Sequence, residues 1–129
     1  MTLMTDAKTH YLNGLKHFGQ NRFEEAIAEY QQALAAKPDW TDVLNALATA
    51  QSKLGRQDDA IATIQRAIEL DPNDAFAFTS LSIFLQRQGK IPEAESAAAK
   101  ARMISWKEEL KKNPNAPPPG PPGGIKVVQ

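Results

Sequence analysis

Residues 41–74 read TDVLNALATA QSKLGRQDDA IATIQRAIEL DPND, and the rest of the chain repeats this stretch. Small, apolar and turn-forming residues recur 34 positions away in both directions. Upstream, the residues that match Ala60, Ala67 and Pro72 are Ala26, Ala33 and Pro38. Downstream, the recurring residues are Phe78, Leu81, Gly89, Ala94 and Ala101. The sequence therefore predicts three copies of one unit, followed by a tail.

The spacing of the apolar residues predicts two helices in each copy. These residues step by three and four positions, as in Leu44, Leu47 and Ala48, which is the spacing along one face of an α-helix. A small residue such as Ala60 lets the second helix lie close to the first. The predicted helices span residues 6–18, 22–36, 40–54, 58–70, 74–88 and 91–112. We expect an all-α fold, an α-solenoid of three antiparallel helix-turn-helix units that bury their faces on one another.

Turn residues mark the predicted helix ends. Gly55 and Gly89 lie between the two helices of their copies, where positive φ is favourable, and Asn21 takes this place in the first copy. Pro38 and Pro72 stop the second helix, because proline lacks an N–H and clashes with the preceding turn. The predicted N-caps of the first helices are Thr5 or Asp6, Asp39, and Asn73 or Asp74.

The period and the pattern of small and large apolar residues resemble those of the tetratricopeptide repeat family, over residues 7–106. The repeats would span residues 7–40, 41–74 and 75–106, within a domain that extends to residue 112. Gln51 departs from the pattern where a large aromatic residue is usual, and Trp106 stands where a proline is expected. In the first repeat, His10, Asn13 and His17 replace residues that are commonly apolar.

The resemblance implies a non-catalytic adaptor or scaffold that binds a partner peptide segment. In this family, the first helix of each repeat lines a concave groove. Carried over by position, the groove residues of this chain are Lys8, Tyr11, Leu15, Phe18, Asn45, Thr49, Phe76, Thr79, Ile83 and Arg87. We expect some of them to pack between helices instead. The protein or peptide partner is not identified by the sequence.

The side chains of this sequence argue against one subtype of the family. The chaperone-binding members hold a C-terminal carboxylate with Lys, Asn and Arg side chains. The matching positions here are occupied by Tyr11, Leu15, Ala46, Phe76 and Ser80, none of them cationic.

The last helix is expected to continue to Lys112, since no proline ends it at the repeat boundary. Its added turns carry Met103, Trp106 and Leu110 at helical spacing. We interpret this stripe as a cover for the open end of the last repeat, within a monomer. The alternative is a dimer contact through Trp106, which would make the chain a self-assembling structural protein.

Residues 113–129 form a tail that is rich in proline and glycine, and we expect it to be disordered. Its PxxP spacings fit an SH3-like groove, but a plain tether is the simpler interpretation. The apolar end, Ile125–Gln129, is a candidate docking peptide for the groove of this chain or of another protein.

The composition excludes several classes of function. Because 15 basic and 15 acidic residues cancel, no strong field draws nucleic acid or an anionic membrane surface. The chain has no cysteine, and therefore neither disulfides nor a thiolate metal site. We see neither a signal peptide nor an apolar run of membrane-spanning length, so we expect a cytoplasmic protein.

No residue set predicts an active site, so we expect neither an enzyme nor a bound cofactor. The acidic pairs Glu24-Glu25 and Asp58-Asp59 begin second helices, where negative charge favours the helix dipole. His10 and His17 lie seven residues apart, but two imidazoles without a third ligand make a poor zinc site.

Overall fold

The computed structural model describes residues 3–120, with their side chains from residue 6 onward. This part of the chain contains six α-helices and no strand. The helices are α1 (Leu3–Gly19), α2 (Phe23–Ala36), α3 (Thr41–Lys53), α4 (Gln57–Leu70), α5 (Ala75–Arg87) and α6 (Ile91–Lys112). The all-α fold of three helix pairs is therefore confirmed. No helix over residues 3–120 is both long enough and apolar enough to cross a membrane.

The chain forms two compact units that divide between Pro72 and Asn73. In the first unit, which holds α1 to α4, successive helices pack on one another and α1 also touches α3. Its largest fully buried side chains are those of Tyr30, Val43, Leu44 and Ile64. The small residues at the recurring positions, among them Ala26, Ala33, Ala60 and Ala67, are at most 1% exposed. In the second unit α5 packs on α6, with Ala77 and Phe84 facing Ala94, Ala97 and Ala101 in a buried core.

Gly14 permits a close approach between α1 and α2. A Cβ atom added at this glycine would lie 2.4 Å from Cε1 and 2.6 Å from Cδ1 of the buried Tyr30 ring. These separations are far below van der Waals contact, so a side chain here would displace the ring.

The break between the two helices has the same geometry in all three pairs. Asn21, Gly55 and Gly89 have φ of 62°, 81° and 78°, which confirms the predicted left-handed positions. Next to each, a backbone N–H bonds the carbonyl five residues earlier: Arg22 to His17 at 2.9 Å, Arg56 to Gln51 at 3.0 Å and Lys90 to Leu85 at 3.0 Å. This pattern is the Schellman type of helix ending.

The predicted N-caps are confirmed at one of the three first helices. The Asp74 carboxylate accepts hydrogen bonds from the backbone N–H of Phe76 at 3.0 Å and of Ala77 at 3.4 Å. The prediction of Asp39 is wrong, because the equivalent position is Trp40, which offers no side-chain cap to α3. Thr5 and Asp6 are also wrong as caps, since α1 already begins at Leu3 and both residues lie within it.

The tail departs from the expected disorder over its first residues. Up to Gly120 it forms no helix, but Ala116 is only 8% exposed. The backbone carbonyl of Ala116 accepts a hydrogen bond from Nε1 of Trp106 at 3.1 Å. Residues 113–119 therefore fold back on α6. The rest of the tail, with the candidate docking peptide at Ile125–Gln129, lies outside the described residues.

Candidate peptide-binding faces

The groove residues predicted on α1 divide into an exposed pair and a packed pair. We call Lys8, Tyr11, Leu15 and Phe18 the α1 face. Lys8 is exposed and Leu15 is 42% exposed. Phe18 is half-buried, with its ring edge-on to Phe23 of α2 at a centroid distance of 5.1 Å. Phe18 thus contributes to helix packing, whereas Lys8 and Leu15 are available to a ligand.

Tyr11 lies in an aromatic cluster that the sequence patterns did not reveal. Its ring is 5.0 Å from the ring of Trp40 and 6.2 Å from that of Tyr30, between centroids. Nζ of Lys37 lies 4.7 Å above the Trp40 ring. Burial raises the pKa of Tyr30 to about 12, with a smaller contribution from Tyr11, and burial also raises the pKa of Tyr11, helped by the charge of Asp42.

The residues predicted on α3 are largely enclosed in the first unit. Asn45 is only 9% exposed, and Thr49 is half-buried, with its hydroxyl donating to the Asn45 backbone carbonyl at 3.0 Å. Gln51, the departure from the aromatic pattern, is also 9% exposed and accepts a hydrogen bond from the Thr63 hydroxyl at 2.8 Å. A polar pair therefore occupies the space where an aromatic residue is usual.

The residues predicted on α5 are the most accessible ones. We call Phe76, Thr79, Ile83 and Arg87 the α5 face, since they recur at intervals of three and four. Phe76 is 61% exposed and Ile83 is 40% exposed, while Thr79 and Arg87 are also exposed. The Thr79 hydroxyl donates to the Ala75 carbonyl at 3.0 Å, so it turns toward its own helix. This face presents two large apolar side chains to solvent.

An open cleft of about 500 Å³ lies beside this face, between α5 and α6. We call it the α5–α6 cleft. Thr79, Ser82 and Ile83 line it from α5, and Ala98, Ala101 and Arg102 line it from α6. Pro119 of the tail lies against the same cleft. Nη2 of Arg102 is buried and has no hydrogen-bond partner among the described residues.

The stripe on the extended end of α6 is only partly covered. Met103 is 41% exposed, whereas Trp106 and Leu110 are half-buried. Trp106 acts through its indole N–H, which holds the Ala116 carbonyl. It therefore contributes to the cover of the last helix pair by fixing the tail there.

Two of the groups considered for catalysis or metal binding, His10 and Glu24, are engaged in ordinary ion-pair contacts. Nδ1 of His10 lies 2.6 Å from a carboxylate oxygen of Glu29. Glu24 pairs with Arg56 on the surface. Over the described residues, no three His, Cys, Asp or Glu side chains are grouped as a metal site would require.

Family profiles match this geometry. A tetratricopeptide repeat profile matches residues 11–75, and a second profile of the same repeat matches residues 63–96. The first match covers half of the chain. The chain belongs to the tetratricopeptide repeat family.

Two curated relatives are similar in sequence. Photosystem I assembly protein Ycf3 of Synechococcus sp. (strain CC9605) is 26% identical over 91 residues, which are 68% of this chain and 53% of that protein. Sperm-associated antigen 1 of Mus musculus is 29% identical over 99 residues, or 77% of this chain and 11% of that protein. The chain thus spans about half the length of the Ycf3 protein and a small part of the antigen.

Two solved structures share the fold. MamA superposes with a TM-score of 0.78 at 24% identity, over 82% of this chain and 62% of that one. The TPR2B domain of yeast Sti1, solved in complex with pHsp70, gives a TM-score of 0.78 at 22% identity, over 85% and 88% of the two chains. Identities this low establish a common fold and no more.

Proposed function

We propose that this chain is a non-catalytic protein-interaction module that binds a partner segment on its α5 face. The main support for this proposal is the solvent exposure of two apolar side chains, Phe76 at 61% and Ile83 at 40%. Both side chains project from a helix that buries Ala77, Ser80, Ser82 and Phe84. The helix is therefore held in place by its core, and these two side chains are left for a ligand.

The energetics favour a segment with apolar anchors. Burying a large apolar side chain completely contributes about 1.5–3 kcal/mol, so covering the exposed part contributes about 1–2 kcal/mol for Phe76 and about 0.6–1.2 kcal/mol for Ile83. Because α5 is already folded, binding does not require the helix itself to become ordered. Phe76 and Ile83 are seven residues apart, about 10 Å along the helix axis, which a partner helix or an extended peptide spans with few residues.

Relatives support a role in binding proteins. Ycf3 is named as a photosystem I assembly protein, and the Sti1 domain was solved in a complex with pHsp70. The absence of cationic side chains at Tyr11, Leu15, Phe76 and Ser80 argues against a chaperone C-terminus as the ligand of this chain. We therefore expect a partner that is recognised through apolar side chains.

The test compares affinity capture from native cell extract by two variants of the full chain. The double substitution Phe76→Ser/Ile83→Ser removes the exposed anchors of the α5 face. The matched control Leu70→Ser/Ile91→Ser removes two apolar side chains of similar exposure, 43% and 51%, from other surfaces. Both variants should keep the parent helical circular dichroism.

We expect a partner that is recovered by the parent and by the control but lost by the α5 face variant. Its purified form should then bind the parent at least about tenfold more tightly than the variant, since the lost burial is worth at least 1.4 kcal/mol. Recovery of the same proteins by both variants would overturn the proposal. The alternative of self-assembly through Trp106 predicts a mass that rises with concentration in sedimentation, although the indole N–H is already bonded within the chain.

A further inference from the structure

The tail of this chain lies at the edge of the α5–α6 cleft. Ala116 is buried, and its carbonyl bonds Nε1 of Trp106 at 3.1 Å. Three residues later, Pro119 lies against the α5–α6 cleft, beside Ile83 and Arg102. Residues 116–119 form no helix or strand. Pro119, the last residue of a run of three prolines, thus forms part of the wall of the cleft.

The positive charge of Arg102 is not matched by an acidic residue in the tail segment beside the cleft. Among the described residues, Arg102 is the only charged one that lines the cleft, and no acidic residue occurs in α5 or within one turn of Arg102 on α6. Nη2 of Arg102 is buried without a hydrogen-bond partner among the described residues. Residues 113–129 contain neither Asp nor Glu. The tail therefore borders the cleft, and residues 113–120 offer no acidic side chain to Arg102.

We propose that the α5–α6 cleft is a binding site for an extended, proline-containing partner segment that carries a carboxylate, and that residues 116–119 are its intramolecular competitor. The Trp106 N–H would bind a backbone carbonyl of the partner, as it now binds that of Ala116. The Arg102 guanidinium would receive the carboxylate in a charge-assisted hydrogen bond, the strongest type available to it. A proline-rich ligand suits the site because proline stiffens the extended chain and leaves its carbonyls unpaired.

This proposal concerns a site adjacent to the α5 face and rests on the proposed function only in assuming a protein ligand. The positive charge comes from the second helix of the pair, whereas the chaperone-binding members place their clamp on first helices. The partner's carboxylate is expected on a side chain near a proline, in the register that the tail residues now define.

The first experiment tests whether the tail occupies the cleft in the full chain. The chain has no cysteine, and a Cβ at Gly120 would meet nothing within 4 Å, so Gly120→Cys accepts a single spin label. We expect the label to broaden the amide resonances of Ile83 and Arg102. Adding Ala116→Gln should abolish the broadening, because the side chain does not fit the buried position. Adding Pro117→Gln, at an exposed neighbour, should preserve it. Broadening that is absent in the parent would overturn the competitor role.

The second experiment tests the ligand chemistry by fluorescence anisotropy. The probe is a labelled peptide of residues 113–122 in which Glu replaces the proline that corresponds to Pro119, and its matched control carries Gln there. We expect the Glu peptide to bind the Ala116→Gln chain about tenfold more tightly than the Gln peptide, and Arg102→Gln to remove this difference. We also expect the Glu peptide to bind the parent about tenfold more weakly than it binds the Ala116→Gln chain, because in the parent the tail must first be displaced from α6.

Several results contradict the proposal separately. Equal affinity of the Glu and Gln peptides would exclude Arg102 as a recognition residue, and equal affinity of parent and Ala116→Gln would exclude competition by the tail. A dimer formed by the Ala116→Gln chain in sedimentation, without peptide binding, would assign the cleft to a second copy. Ile83 belongs to both the α5 face and the cleft. The two proposals are therefore distinguished by Phe76→Ser alone, which leaves the cleft lining intact, and by Arg102→Gln, which leaves the α5 face intact.

Discussion

Replacing Gly14 by alanine should destabilise the first unit, although alanine favours helices. The added Cβ would lie 2.4 Å and 2.6 Å from two carbon atoms of the Tyr30 ring, where ordinary contacts are 3.4–4 Å. Tyr30 is 1% exposed and its ring also faces Tyr11, so it cannot swing into solvent. The ring, or α1 itself, must retreat by about 1 Å in a close-packed interior.

The size of the effect follows from two opposing terms. Forcing an extra methyl group into a packed core costs typically about 1–3 kcal/mol. Alanine is favoured over glycine within a helix by about 1 kcal/mol. Gly19→Ala provides the matched control, because a Cβ there meets nothing within 4 Å and the residue also belongs to α1. We therefore expect Gly14→Ala to be less stable than Gly19→Ala by about 1–3 kcal/mol, since the comparison largely cancels the helix preference.

The measurement is urea unfolding monitored by the fluorescence of Trp40. A Trp106→Phe background ensures that the signal reports the first unit alone. If Gly14→Ala proves as stable as Gly19→Ala, the close approach to Tyr30 does not exist in solution. A further check is the Tyr30→Leu background, which removes the ring. There Gly14→Ala should no longer destabilise the chain, and a cost that persists would locate the clash elsewhere.

Two further predictions concern the helix cap and the buried tyrosine. Asp74→Ala should lower the free energy of unfolding in urea by about 1 kcal/mol, because the Asp74 carboxylate caps α5. Asp39→Ala should change it by less than about 0.5 kcal/mol. Equal effects of the two substitutions would contradict the cap assignment. Burial raises the pKa of Tyr30 to about 12 from an ordinary value of about 10, so the folded state favours the neutral phenol. The stabilisation from the neutral phenol should therefore be fully present below about pH 10 and be lost as the pH rises through about 12. Tyr30→Phe should remove much of this pH dependence, as measured by alkaline unfolding monitored by circular dichroism. If Tyr30→Phe leaves the alkaline unfolding profile unchanged, the buried Tyr30 is not the source of this pH dependence.

The 34-residue period allowed the helices to be predicted because each of its landmarks has a local cause. A residue that tolerates positive φ is needed at Asn21, Gly55 and Gly89, and the same hydrogen-bond pattern follows each of them. Proline after α2 and α4 excludes further helix. These causes act within a few residues of sequence, so they are visible without a structure.

The wrong prediction of the α3 cap reflects a shift of a single residue. Asp39 is a good capping residue by type, but the recurring cap position falls on Trp40, as Asp74 shows one period later. Similarly, Asn45 occupies a groove position by pattern and yet is only 9% exposed. Side-chain type indicates which residues can perform a role, whereas burial is decided by the neighbouring helices.

The tail shows why composition alone misjudged residues 113–119. A segment with few apolar side chains buries too little surface to offset the entropy lost when a flexible chain is ordered. That argument weakens for a proline run, because each ring already fixes φ and little conformational freedom is left to lose. A single hydrogen bond such as that from Trp106 to Ala116, worth about 1 kcal/mol net, then suffices to bias the segment toward α6. The same small value means that a ligand with one stronger contact displaces it. A stiff and weakly held cover of this kind is therefore suited to a site that must open for its partner.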